Sequence, residues 1–345
     1  MVLSGLSGIV MPFVGLLAVV LFATSNAGCL LSLRSFTGSD ITITAEPIEW
    51  FEINNPSRRQ FGELEFVGGL VLNAAHKAFG GISALRVSDD GEHFLALSDR
   101  AYWLRGRIVY ENDRPTGITD AEMSPVLNAE GNPAPDWDTE SIAVDGAAVY
   151  VSLERINGIR KFNFGEKGTA ARGQEITVPD EMKLLPENQG LEALEFVPRS
   201  FPLGGALIAF SERGLDDDGN LQSFIIGGPK PGTFSVRRTD DYDITDAALL
   251  PDGDLLMLDR KFSLLGGVAA RIRRLPLESI RPGALVDGPV IFEADFRFRI
   301  DNMESLSVHR SPSGRLILTL MSDDNYSPMQ RTLLLQFVLK EPARK

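Results

Sequence analysis

Acidic residues recur at regular intervals along this chain of 345 residues. Five similar segments follow one another, and four of them begin with an acid. Carboxylates gathered at one place repel one another, so they take up protons or bind a cation. Their hard oxygen atoms suit calcium better than zinc or copper. The pattern therefore predicts a calcium site, and its candidate ligands, one of them from a later acidic turn, are Glu140, Glu192, Asp246, Glu304 and Asp323.

An acid followed by an arginine recurs near the end of four of the same segments, and the arginines are Arg100, Arg155, Arg213 and Arg260. One interpretation is a latch, in which each guanidinium binds a carboxylate of the adjacent repeat. The other is a ring of donors that binds an anionic substrate. The acids at the segment starts also have an alternative role, as caps of backbone amides or partners of arginines. The excess of acids over arginines favours bound cations at this end of the repeats.

The segments that carry these residues start 52–58 residues apart, at Ser83, Glu140, Glu192, Asp246 and Glu304. Each segment indicates two strands joined by a turn that contains Asp-Gly, Gly-Gly or Ser-Gly. Further strand-like stretches between the segments give about four strands per unit. Four-stranded units of this size without helical stretches are typical of a β-propeller.

The sequence thus predicts an all-β fold, a β-propeller of four-stranded blades in one domain over residues 40–345. The repeat count gives five blades, and a sixth is added if residues 41–60 and 112–137 form a degenerate blade. The last unit ends after residues 333–339, which leaves its outer strand missing. Residues 63–72 are the candidate to complete that blade and close the ring.

The N-terminal segment is typical of an export signal, because residues 1–33 carry no charge and residues 9–23 are apolar. Fifteen residues are few for a membrane span. Small residues at 25–27 predict cleavage, so residues 1–28 are a signal peptide or a lipoprotein signal. Residues 26–29 resemble a bacterial lipobox in their last three positions, which makes Cys29 a candidate for lipidation. An uncleaved anchor and a soluble secreted protein are the alternatives to a lipid anchor. All three possibilities predict that the rest of the chain is exported, to the periplasm or to the envelope.

Composition excludes several classes of function. The net charge of −13 argues against nucleic-acid binding, which needs a basic face. The single cysteine excludes an internal disulfide framework. The sequence lacks the motifs of zinc metalloproteases and P-loop enzymes. It also lacks the α/β-hydrolase motif outside the signal region. Contact with a membrane is expected only through the N-terminal signal or a lipid anchor, and the oligomeric state is left open.

Five stretches together resemble the bacterial phytase-like family; they are residues 79–85, 94–100, 138–142, 188–194 and 302–306. The similarity covers residues 61–339. It implies a propeller, export and a calcium-assisted hydrolase with esterase-like activity related to phytases. Propeller phytases hold several calcium ions at a channel mouth, where the ions bridge a polyanionic substrate. The phosphate-binding residues of phytases do not match this chain position by position.

The leading hypothesis is a calcium-dependent hydrolase of phosphate or carboxylic esters that acts on a small anionic or ester substrate. Glu140, Glu192 and Glu304 are its candidate catalytic residues, as metal ligands or as bases that orient water. A lactone-hydrolase type of propeller with one metal in the channel is an alternative. Another is a non-catalytic binding or scaffold propeller at the cell envelope.

Overall fold

The computed structural model describes residues 38–340, except residue 166 and residues 264–265. The predicted signal segment and Cys29 lie outside the described residues. No helix in the described part of the chain is long and apolar enough to cross a membrane. The helical residues described form short 3-10 turns, at Gly168–Ala170, Met182–Leu184 and Leu277–Ser279.

Strands make up the rest of the regular structure. In chain order they are β1 (Ser39–Asp40), β2 (Ile43–Ile48), β3 (Gln60–Phe61), β4 (Leu64–Ala74), β5 (Ile82–Val87), β6 (His93–Ser98), β7 (Tyr102–Glu111), β8 (Arg114–Pro125), β9 (Thr139–Asp145), β10 (Ala148–Leu153), β11 (Gly158–Asn163), β12 (Gln174–Glu175), β13 (Leu191–Phe196), β14 (Ala206–Leu215), β15 (Leu221–Gly227), β16 (Gly232–Val236), β17 (Asp243–Leu249), β18 (Asp254–Ser263), β19 (Gly267–Pro276), β20 (Leu285–Val286), β21 (Val290–Ala294), β22 (Asn302–Arg310), β23 (Leu316–Asp323) and β24 (Thr332–Leu339).

These strands form five sheets, which are the blades of a propeller. From the axis outward, blade 1 is β5-β6-β7-β8-β1, blade 2 is β9-β10-β11-β12 and blade 3 is β13-β14-β15-β16-β20. Blade 4 is β17-β18-β19-β21, and blade 5 is β22-β23-β24-β4-β2 with β3 beside β4. The innermost strands contact one another in the order β5, β9, β13, β17, β22 and back to β5. The prediction of a five-bladed propeller is confirmed.

The blade that closes the ring combines both ends of the described chain. Strand β4 pairs antiparallel with β24, from Thr332 opposite Leu72 to Leu339 opposite Leu64. This is the closure expected from residues 63–72. Residues 41–60 supply β2 to blade 5, and residues 112–137 supply β8 to blade 1, so neither stretch forms a sixth blade.

The core consists of five apolar clusters, each between two adjacent blades. The strands carry apolar residues on both faces of a blade, because each face packs against a neighbouring blade. Between blades 1 and 2, for example, the Trp103 ring packs edge-on against Phe162 at 5.3 Å. This packing fixes the innermost strands side by side, with all five starting at the same end of the central channel.

Candidate metal centre at the mouth of the channel

Each innermost strand carries a β-bulge or irregularity just after its first residues. Bulges re-aim side chains, and here they direct one residue per blade toward the channel mouth. The bulged residues are Ser83, Glu192, Thr245 and Glu304, and in β9 the irregularity spans Glu140. We call the end of the channel formed by these five residues the acidic mouth.

Blade 4 differs from the sequence alignment by one residue. Strand β17 pairs Ile244 with Asp259 and then Asp246 with Leu258, which leaves Thr245 as the bulged residue. Thr245 Oγ1 donates to the carbonyl of Met303 at 3.2 Å. Ser83 Oγ donates in the same way to Thr139 at 2.6 Å, so Thr245 and Ser83 are equivalent. The predicted equivalence of Asp246 with the glutamates of the other blades is therefore wrong.

The same shift changes the identity of the second residue that faces the mouth. In four blades this residue is an acid, namely Asp99, Glu154, Glu212 and Asp323. In blade 4 it is Arg260, because Asp259 lies opposite Ile244 where blade 3 has Ser211 opposite Leu191. Arg260 is therefore equivalent to these acids, and its predicted equivalence with Arg100, Arg155 and Arg213 is wrong.

Carboxylates gather at the acidic mouth and are buried there. The relative exposure of Glu140, Glu154, Glu192, Glu304 and Asp323 is 4–9%. One carboxylate oxygen from each of Asp138, Glu140 and Glu154 lies within 4.8 Å of the others, and the same holds for Glu154, Glu192 and Glu212. These two triads share Glu154 and could hold a metal ion.

Arg260 is the guanidinium placed among these acids. Its Nη1 donates to Glu304 Oε1 at 2.5 Å and to Asn302 Oδ1 at 2.6 Å. Its Nη2 donates to Glu212 Oε1 at 3.0 Å. Arg260 thus links blade 4 to blades 3 and 5. A single positive charge does not balance the carboxylates around it.

The crowding and burial of these carboxylates change their pKa values. Burial raises the pKa of Glu140 well above its ordinary value, and repulsion from Glu192 and Glu304 adds to the effect. Burial and repulsion raise the pKa of Glu154 to about 7 and that of Asp323 to about 9. Without a cation, folding of this mouth is therefore coupled to proton uptake.

The other predicted arginines lie around the mouth, each with a partner. Arg213 pairs with Asp243 of the next blade at 2.6 Å, as a latch would. Arg155 pairs with Asp138 of its own blade at 3.0 Å, and 63% of its side chain is exposed. The Arg100 guanidinium lies 3.5 Å from the centre of the Tyr326 ring. Substrate binding by these arginines stays a prediction.

Asp246 lies at another level of the channel, where it binds Arg86. The guanidinium donates to both Asp246 oxygens, at 3.0 and 3.2 Å, and to the carbonyls of Leu194 and Leu306. Asp246 also accepts a hydrogen bond from Ser141 Oγ at 3.3 Å. The Arg86–Asp246 pair thus contacts the innermost strands of all five blades. The structure does not bring Asp246 together with the other predicted ligands.

Several residues of the site were not among the predicted ligands. Asp138, Glu154 and Glu212 complete the two triads, although Glu154 and Glu212 belong to the recurring acid-arginine pairs. That recurrence was the signal that could have identified them. Arg86 was also missed, and its signal is a charge within an otherwise apolar strand.

A five-bladed propeller with a buried carboxylate cluster at one channel mouth is the class of protein that the fold and site define. The chain belongs to the phytase-like family, described as having esterase-like activity of phytase, whose model matches residues 77–326. No curated protein matches the chain.

Several solved structures resemble the chain at low sequence identity. The PQQ-bound aldose sugar dehydrogenase of Streptomyces coelicolor is 14% identical, covers 78% of this chain and 98% of its own, and gives a TM-score of 0.43. Glutaminyl cyclase of Myxococcus xanthus is 10% identical, with coverages of 80% and 97% and a TM-score of 0.41. An α-L-arabinofuranosidase of Podospora anserina in complex with cellotriose is 13% identical, with coverages of 78% and 94% and a TM-score of 0.45. The fold of this chain rests on its own strand pairing.

Proposed function

We propose that this chain is an exported, calcium-dependent hydrolase of phosphate or carboxylic esters that acts at the acidic mouth. The observation that carries the proposal is the surplus of buried carboxylates over cations at this mouth, where Arg260 is shared by Glu304 and Glu212. The surplus requires protons or a cation. The family description, esterase-like activity of phytase, supports ester hydrolysis as the reaction.

The donor set fits calcium. All the candidate ligand atoms are carboxylate oxygens, the hard donors that calcium binds at about 2.3–2.6 Å. Two oxygens on one such ion lie at most about 5 Å apart, and the oxygens within each triad satisfy this condition. Asp138, Glu140 and Glu154 would hold one ion, and Glu192 and Glu212 would hold another with Glu154. Bound calcium supplies a Lewis acid that polarises the ester and makes bound water more acidic.

The protein's own side chains position the rest of the site. Glu304 is fixed by Arg260 and by the amide of Asn302, whose Nδ2 donates to Glu304 Oε1 at 2.7 Å. A carboxylate held in this way suits the orientation of water more than movement during the reaction. Arg155, largely exposed beside the first triad, would contact an anionic substrate in this proposal.

Export is part of the proposal. Its support is the uncharged, apolar N-terminal sequence, followed by small residues and by Cys29 in a lipobox-like setting. A periplasmic or envelope-anchored location would expose the acidic mouth to calcium outside the cytoplasm.

The test is turnover by the chelator-treated protein, with and without added calcium, on an aryl phosphate, an aryl carboxylate and a lactone. We expect calcium to restore activity, and Glu192→Gln to lower kcat/KM on the order of 100-fold and to weaken calcium binding. Glu175→Gln is the matched control, because Glu175 lies on the outer strand of blade 2 with 75% of its side chain exposed.

Each alternative function gives a different result. Full activity of Glu192→Gln, or activity indifferent to chelator, would contradict the assignment of the site. Turnover of the lactone alone would select the lactone-hydrolase type. Calcium binding without turnover of any ester would select the non-catalytic binding propeller.

A further inference from the structure

A cavity lies at the end of the channel opposite the acidic mouth. Its volume is about 780 Å³, within the range of about 300–1,000 Å³ typical of small-molecule sites. It extends from the ends of the innermost strands, at Arg86, Glu195 and Leu249, into the groove between blades 1 and 2. We call it the far cavity. Much of its wall is apolar, with contributions from Val87, Phe94, Val144, Val149, Phe164 and Val308.

One carboxylate on this wall lacks a full counter-charge. Arg86 makes its two ion-pair hydrogen bonds to Asp246. Glu195 Oε2 lies 3.9 Å from Arg86 Nη2, beyond hydrogen-bonding distance, and 14% of the Glu195 side chain is exposed. Two carboxylates thus share one guanidinium, which leaves one negative charge at the inner end of the cavity.

The other basic side chains on the described lining have acidic partners. Arg105 pairs with Glu122 at 2.5 Å, and His93 pairs with Asp90 at 2.7 Å. Asp120, which also lines the cavity, adds a further negative charge. The lining is therefore apolar over much of its surface, and its surroundings are negative in net charge once Asp246 and Glu122, the partners of its two arginines, are counted. A ligand that matches it has an apolar body and a positive group.

We propose that the far cavity binds a small organic amine, whose ammonium group pairs with Glu195 and whose apolar body packs between blades 1 and 2. The ammonium would supply the second positive charge that Glu195 and Asp246 together lack. Burial raises the pKa of Glu195 to about 7, and a bound cation would keep this carboxylate ionised.

The far cavity is independent of the acidic mouth. The Arg86–Asp246 pair binds backbone groups of the innermost strands around the axis between the two regions. An amine in the far cavity would therefore bind whether or not the acidic mouth holds calcium. The inference does not rest on the proposed hydrolase activity.

The test compares three probes of one shape by calorimetry at pH 8 with phenylpropylamine, phenylpropanol and phenylpropanoate. We expect the amine to bind at least about 10-fold more tightly than the alcohol, and the acid to bind most weakly. Glu195→Gln should lower the affinity for the amine about 10-fold and leave that for the alcohol unchanged. Glu175→Gln on the outer strand of blade 2 is again the control.

A second variant tests the cavity itself. Val144 lines the cavity with 41% of its surface exposed, so Val144→Trp should fold and fill the space. It should weaken the binding of both the amine and the alcohol. Equal affinity for the three probes, no binding of any probe, or unchanged amine affinity in Glu195→Gln would overturn the proposal.

Discussion

Buried charge is balanced at one level of the channel, the Arg86–Asp246 pair, and unbalanced at the other, the acidic mouth. Near the middle, Arg86 and Asp246 form a bidentate pair, and Asp246 also accepts from the backbone amides of Leu306 and Ala247. At the acidic mouth, Arg260 is shared by Glu212 and Glu304, while further carboxylates crowd around it. An ion pair with balanced charge holds blades together, whereas a cluster with excess negative charge is suited to bind a cation.

A shift of one residue in blade 4 produces both features. It places Thr245 in the bulge, so that Asp246 turns to Arg86 at the axis. It also places Arg260 where other blades have an acid, which gives the mouth its internal cation. Blade 4 is thus specialised for holding the ring, and blades 2 and 3 supply the candidate metal ligands of the two triads.

The largest effect is expected from Arg86→Met. The substitution leaves Asp246 buried without its cation, which costs about 3–5 kcal/mol of unfolding free energy. Urea denaturation measures the loss, and calcium should not restore it, because the pair lies away from the acidic mouth. Arg107→Gln, which breaks the exposed pair with Glu92, is the control and should cost less than about 1 kcal/mol. A loss of unfolding free energy no larger than that of the control, or a loss reversed by calcium, would contradict the claim that this pair stabilises the ring independently of the acidic mouth.

Arg260→Gln should have a smaller effect that depends on calcium. In chelator, removal of the guanidinium leaves Glu212 and Glu304 without their cation and lowers the unfolding free energy by about 2–3 kcal/mol. Calcium should restore most of the loss, since it replaces the missing positive charge. Urea denaturation with and without calcium measures both the loss of unfolding free energy and its recovery. An equal loss in the two conditions would show that Arg260 acts only as a latch.

The fold could be predicted from the sequence because strand length, turn residues and apolar alternation all recur in each repeat. The closing strand was predictable for the same reason, since β24 needed a partner. The register of blade 4 was not, because Thr245 and Asp246 are both polar and alternation does not show which of them occupies the bulge. The triads escaped prediction because the first forms through the pairing of β9 with β10 within blade 2, and the second needs Glu192 and Glu212 of blade 3 to pack against Glu154 of blade 2.

The acidic mouth also predicts how stability depends on pH. The pKa values are raised to about 6 for Asp99, about 7 for Glu154 and about 9 for Asp323, in each case first by burial. A raised carboxylate pKa means that the folded protein binds more protons than the unfolded chain, so stability falls as pH rises through this range. The fall should be several kcal/mol between pH 5 and pH 9 in chelator, since each pKa unit corresponds to about 1.4 kcal/mol.

The most direct test of the central claim, that the acidic mouth is built to hold a cation, is therefore the unfolding free energy at pH 5 and pH 9 with chelator and with calcium. We expect stability to fall toward pH 9 in chelator, and calcium to abolish or reverse the fall because it binds the ionised carboxylates. The same pH dependence in both conditions, with no stabilisation by calcium at pH 9, would contradict the claim.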